Sequence, residues 1–146
     1  MSSSKIAAFH RLHESGCFVI PNPWDRGSAI FLQKAGFKAL ASTSAGFAWS
    51  IGRPDNKVTA DQVLGHLEEI ASVVDIPLNA DFEDGFAAEP EKVAANVTRA
   101  VATGLAGLSI ERQRPQHLGA FVRGTHEHPV APDDRRGGGG ARQRGD

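Results

Sequence analysis

At 146 residues, the chain is long enough for one domain with a core of its own, yet well short of the roughly 250 residues of a complete eight-fold α/β barrel. Its formal net charge of −1 favours neither a nucleic acid nor a membrane surface as partner. Cys17 is the only cysteine, which excludes an intrachain disulfide and a cysteine-based zinc cluster.

The even balance hides a split. Residues 1–111 carry nine Lys+Arg against thirteen Asp+Glu, a net of −4, whereas residues 112–146 carry seven against four, a net of +3. All seven basic residues of the second segment are arginine. No stretch reaches the roughly 18 apolar residues of a membrane span. Met1-Ser2-Ser3-Ser4-Lys5 lacks the apolar run of a signal peptide, so a cytoplasmic protein is expected.

Ile6, Phe9 and Leu12 at helical spacing, behind a serine run, predict a helix over residues 4–14, stopped by Gly16. Cys17-Phe18-Val19-Ile20, closed by Pro21, reads as a strand buried on both faces. Residues 26–35 suit a helix, with Gly36 where a C-cap glycine belongs. Residues 37–41 form a second strand that runs into a small-residue loop, Ser42-Thr43-Ser44-Ala45-Gly46. Thr59 can cap a helix over 60–74, with Val63, Leu67, Ile70, Val73 and Val74 on one face. Residues 76–81 are the third strand. A helix over 90–103, with Pro90 in its first turn and Gly104 after its end, leads to a fourth strand over 106–111.

Strands without polar alternation, each followed by a helix, argue for parallel strands covered by helices. A doubly wound sheet gives the same pattern. A barrel is favoured because each strand ends in small or polar residues ahead of a loop rich in functional groups, and such loops form a barrel's active face.

Asn79-Ala80-Asp81-Phe82-Glu83-Asp84-Gly85-Phe86 places three carboxylates at the end of a buried strand. Hard divalent cations such as Mg²⁺ want oxygen ligands and keep several waters, and Glu111 at the next strand end offers a further carboxylate. Taken alone, the segment reads rather as a solvated acidic turn. Asp55, in Gly52-Arg53-Pro54-Asp55-Asn56, is a catalytic carboxylate or a plain turn residue. The hydroxyls and backbone N–H groups of Ser42, Thr43 and Ser44 could hold a substrate carboxylate, or form only a compact loop. Trp24, in Asn22-Pro23-Trp24-Asp25, reads as core or pocket wall.

These features fall in succession at strand C-termini, and from about Ile6 to Glu111 the chain resembles the isocitrate lyase/phosphoenolpyruvate mutase superfamily. The resemblance is carried by Asn22-Pro23-Trp24-Asp25, the Ser-Thr-Ser loop, Gly52-Arg53-Pro54-Asp55, Ala80 to Phe86, and Gly107-Leu108-Ser109-Ile110-Glu111. It implies a (β/α)8 TIM barrel, here truncated to about its first four βα units. It further implies a Mg²⁺-dependent lyase or phosphomutase-like enzyme acting on small 2-oxo or 2-hydroxy acids through an enolate-like pyruvyl intermediate. Carried over by position, Asp81 would bind the metal, Glu83 and Glu111 would hold its waters, Asp55 would be catalytic, and Ser42, Thr43 and Ser44 would grip the substrate carboxylate. The expected partners are a small carboxylic acid and further copies of the chain, not a membrane or a nucleic acid.

The resemblance stops at Glu111. The family commonly has aspartate at the next position, where Arg112 stands, and the cysteine-containing loop of its lyases has no counterpart after Cys17. With GC-leaning codons and one base skipped after Glu111, the tail instead begins D-S-D-P-N-T-S-A-P-L-Y-E. Further on, Asp133 to Gly145 become T-T-A-E-A-A-A-A-R-A-S-A-A, with helix-favouring alanines in place of Gly137 to Gly140. Residues 112–146 are therefore expected to be a frameshifted, disordered tail behind a half barrel over 1–111, impaired as an enzyme. The alternative is a non-catalytic half barrel that self-associates through its unpaired edge strands. In that reading Arg135-Arg136-Gly137 and Arg142-Gln143-Arg144-Gly145 form an RNA-binding Arg/Gly tail.

Overall fold

A computed structural model of the chain describes residues 2–111, with side chains from Ser4 onward. The expectations for residues 112–146 lie outside the described residues. The elements run α1 (Ser2–Leu12), α2 (Arg26–Lys34), β1 (Leu40–Ala41), α3 (Ser44–Ser50), α4 (Ala60–Val73), β2 (Leu78–Asp81), α5 (Pro90–Ala102) and β3 (Gly107–Ser109).

The three strands form one parallel sheet in the order β1-β2-β3. Leu40 pairs with Leu78, and Asn79, Ala80 and Asp81 pair with Gly107, Leu108 and Ser109. Neighbours in the sheet are neighbours in sequence, each pair is joined through helices, and the order never reverses. That is the winding of a barrel wall, and equally that of one half of a doubly wound sheet, which turns back only at its switch point.

Local chemistry explains most helix ends. Asp25 Oδ1 accepts the Ser28 N–H at 2.6 Å while Ser28 Oγ accepts the Asp25 N–H at 3.1 Å, a reciprocal cap for α2. The Ser28 N–H first, and then the Ser28 side chain, hold the Asp25 carboxyl below its ordinary pKa. Thr59 and Gln62 cap α4 in the same way. Pro90 opens α5, and Gly104 follows its end at φ +94°. At the other end of α4, the Lys5 ammonium donates to the carbonyls of Val74 (2.7 Å) and Ala71 (3.2 Å). A cation is thereby placed where the helix leaves its carbonyls unpaired.

The core lies between the sheet and α2, α3 and α4. Leu40, Leu67, Ile70, Leu78 and Phe82 are fully buried, joined by Val63, Leu64, Phe47 and Ala100. Val63, Leu67, Ile70 and Val74 of the expected apolar stripe are buried, with Val73 at its margin.

Two expectations are corrected. Cys17 to Ile20 form no strand and are not buried on both faces, since Cys17 is exposed and Val19 is 66% exposed. The segment touches β1 only at its end, where Pro21 O accepts the Ala41 N–H and the Asn22 amide donates to Ala41 O. Pro21 and Pro23 bring no N–H with which to extend that pairing. The expected loop after the second strand is also largely helical. Thr43 Oγ1 accepts the Gly46 N–H and starts α3, whose buried Phe47 and Ala48 attach it to the core. A seven-residue helix with so few apolar residues has no periodic stripe to read.

Candidate active site

The loop after β2 is held in an unusual backbone. Glu83, Gly85 and Phe86 have φ of +46°, +78° and +58°. For the two non-glycine residues this conformation costs on the order of 1–3 kcal/mol each, so the surroundings must impose it. They do so through many short contacts. Glu83 O accepts the Glu111 N–H at 2.6 Å, Phe82 O accepts the Gly85 N–H, and Asp84 Oδ1 accepts the Phe86 N–H at 2.8 Å. The Asn96 amide of α5 donates to Gly85 O at 2.9 Å. A Cβ on Gly85 would come within 2.8 Å of Val93 Cγ1, so only glycine fits beneath α5.

Asp81 is fixed from the neighbouring strand end. Its N–H donates to Ser42 Oγ at 2.9 Å, and its Oδ2 accepts the Ser44 N–H at 3.1 Å. Ser42 is buried, Thr43 caps α3, and Ser44 opens that helix. The Ser-Thr-Ser segment thus stands beside the carboxylate loop, as expected for one site. Part of its hydrogen-bonding capacity is already spent on positioning Asp81.

Glu83 is the electrostatic centre. Burial pushes its carboxyl up to about 7, helped by the negative fields of Asp55, Asp81, Asp84 and Glu111. Its Oε1 is buried and has no hydrogen-bond partner among the described residues. Asp55 stands on an exposed loop, with its Oδ1 accepting the Asn56 N–H, yet its charge reaches Glu83. The charges of Asp55, Asp81 and Glu111 thus all act on Glu83. The structure adds Asp84, whose electrostatic part could be read from sequence only as one more acid in a run.

A group whose folded pKa exceeds its unfolded value binds an extra proton in the folded state. Its stabilising contribution is full below the unfolded value of 4.5 and is lost as pH rises through about 7. Wild-type stability is therefore expected to fall between about pH 5 and pH 8 relative to Glu83→Gln. The loss should be about 1 kcal/mol, because a partly exposed group retains only part of the roughly 1.4 kcal/mol per pKa unit. Urea unfolding at the two pH values measures it, and parallel profiles for the two proteins would sink the assignment.

Among the described residues no three acidic, histidine or cysteine side chains converge closely enough to cage an ion unaided. The donors are all oxygens, and one of them is buried without a partner. That set suits a hard cation which keeps much of its water, and suits a thiolate- or imidazole-seeking metal poorly.

Residues 9–130 match the family model described as phosphoenolpyruvate phosphomutase, a match that runs past Glu111, where the resemblance was expected to stop, and the chain belongs to the phosphoenolpyruvate mutase/isocitrate lyase superfamily. An uncharacterized protein of Mycobacterium tuberculosis (strain H37Rv) is 33% identical over 112 residues, covering 76% of this chain and 42% of the relative. A Burkholderia cenocepacia J2315 crystal structure assigned as a lyase/mutase is 42% identical, with a TM-score of 0.76, over 79% of this chain and 42% of that one. A phosphonopyruvate hydrolase solved with oxalate and Mg²⁺ is 26% identical, with a TM-score of 0.71, over 75% of this chain and 39% of that one. The chain thus spans about two fifths of the length of these relatives. The fold is the α/β fold of this superfamily, whose members include lyases, mutases and hydrolases.

Proposed function

We propose that the complete protein is a Mg²⁺-dependent lyase or phosphomutase-like enzyme for small 2-oxo or 2-hydroxy carboxylic acids, working through an enolate-like pyruvyl intermediate. Glu83 is the observation that carries this reading. It is a carboxyl held in left-handed backbone, with one oxygen buried and unpartnered, in the fields of four further carboxylates. A merely solvated turn has no need of such an arrangement, because burial and like charge both oppose ionisation. A divalent cation relieves both.

Asp81 would hold the ion, and Glu83 and Glu111 would hold its waters. Bound there, Mg²⁺ would supply charge stabilisation for a developing enolate oxygen. The hydroxyls of Ser42, Thr43 and Ser44 would face the substrate carboxylate. Ser42 and Thr43 already accept backbone N–H groups, but each hydroxyl keeps its own proton to donate. Asp55, on its exposed loop, would exchange a proton with substrate. Self-association is part of the same reading, since it would cover side chains such as Phe31 and Trp49, about 70% exposed on α2 and α3. Among the described residues no helix is long and apolar enough to cross a membrane.

The abrupt change of composition at Glu111 extends the proposal to the gene, as a one-base frameshift near codon 111. The 146-residue chain is expected to release little pyruvate or glyoxylate from oxaloacetate and a panel of 2-hydroxy diacids. A version with the frame restored should turn one of them over in a Mg²⁺-dependent manner. Turnover indifferent to chelator would rule out the metal's role, and a DNA sequence with no base slip near codon 111 would remove the frameshift.

A further inference from the structure

We propose that His66 is a proton-operated release for α3: charging its imidazole unseats α3 from α4 and loosens the hydrogen bonds that fix Asp81. The inference rests on the packing of α3, and it holds or fails independently of the reaction proposed above.

His66 projects from α4 into the core and is only 7% exposed. Its ring lies flat on Phe47 of α3, with centroids 3.9 Å apart and planes 14° apart. Its Nε2 is buried and has no hydrogen-bond partner among the described residues. As a neutral acceptor that nitrogen carries only the modest penalty of one unmade hydrogen bond. As a charged N–H donor with nothing to receive its proton, it carries the full desolvation penalty of a buried cation.

The charged groups whose fields reach the ring are Glu69, one turn further along α4, and Asp25 at the N-cap of α2. α3, with the sequence SAGFAWS, offers no titratable group at all. Desolvation outweighs the two acids and holds the imidazole below its ordinary 6.5. The stability that neutral His66 contributes is therefore present above that value and lost as pH falls through the folded pKa. Relief comes from movement: a charged ring gains by turning toward Asp25 and water, away from its stacked position on Phe47.

The consequence is specific because α3 has little else to hold it. It spans seven residues, with Phe47 and Ala48 as its buried anchors. Its first turn carries the Ser44 N–H bonded to Asp81 Oδ2, next to Ser42, whose Oγ receives the Asp81 N–H. A helix seated on a proton-sensitive ring thus connects solution pH to Asp81 at the end of β2.

The test is amide hydrogen exchange on the full chain, corrected for intrinsic rates, comparing α3 with α5 between about pH 7.5 and pH 5. Protection of α3 relative to α5 should fall severalfold in the wild type and stay constant in His66→Gln. An equal fall in His66→Gln, or parallel loss from both helices, overturns the proposal. Should the variant not fold, NMR titration of the wild-type His66 ring decides alone. A midpoint below 6.5 supports the release, and one at or above 6.5 refutes it.

Discussion

Replacing Asp81 with alanine is expected to abolish the response of this chain to Mg²⁺. An ion that binds only the folded state stabilises it by about 2.7 kcal/mol at one hundred times its dissociation constant. Wild-type protein should show that gain in thermal unfolding, and Asp81→Ala should show none. The substitution also removes the acceptor for the Ser44 N–H, so the variant begins less stable. The comparison is therefore between each protein with and without Mg²⁺, and Asp81→Asn, which keeps an acceptor, should behave like alanine toward the ion. Loading the site also requires Glu83 to give up its proton, so the Mg²⁺ effect should be larger above pH 7 than below it. An unchanged Mg²⁺ response in Asp81→Ala would place the ion elsewhere.

The second large effect is structural. Phe82 lies between Asp81 and Glu83 in sequence, is fully buried, and meets Phe86 edge-on at 5.1 Å. Its N–H donates to Ser109 O at 3.0 Å, stitching the loop to β3. Phe82→Ala should cost about 3–5 kcal/mol, a large share of the roughly 5–15 kcal/mol that holds a domain folded. Phe82→Leu should cost less than about 1.5 kcal/mol because it keeps most of the volume. Equilibrium denaturation gives both values. A Phe82→Ala chain as stable as wild type would mean that the core does not hold the carboxylate loop in place.

Much of the architecture was legible because it is written locally. Thr59 before an apolar stripe, Pro90 at a helix start and Gly104 after a helix end each act within a few residues of themselves. The two misread segments fail for an equally physical reason. Cys17 to Ile20 are apolar enough for a buried strand, but burial depends on what packs over them, and Val19 is left 66% exposed. Ser42 to Gly46 carry loop residues, yet Thr43 and Phe47 turn the segment into α3 by gripping the chain and the core.

The sequence by itself determined the family, the alternation of strands and helices, and which carboxylates stand at strand ends: Asp81, Glu83 and Glu111. These follow from spacing, and spacing survives without coordinates. Only the tertiary structure decided that Asp55, far along the chain, acts on Glu83, and that one Glu83 oxygen is sealed from water. It also decided that His66 lies under Phe47. Coulomb fields and desolvation depend on distance through space and on what excludes water, and neither is a property of sequence order.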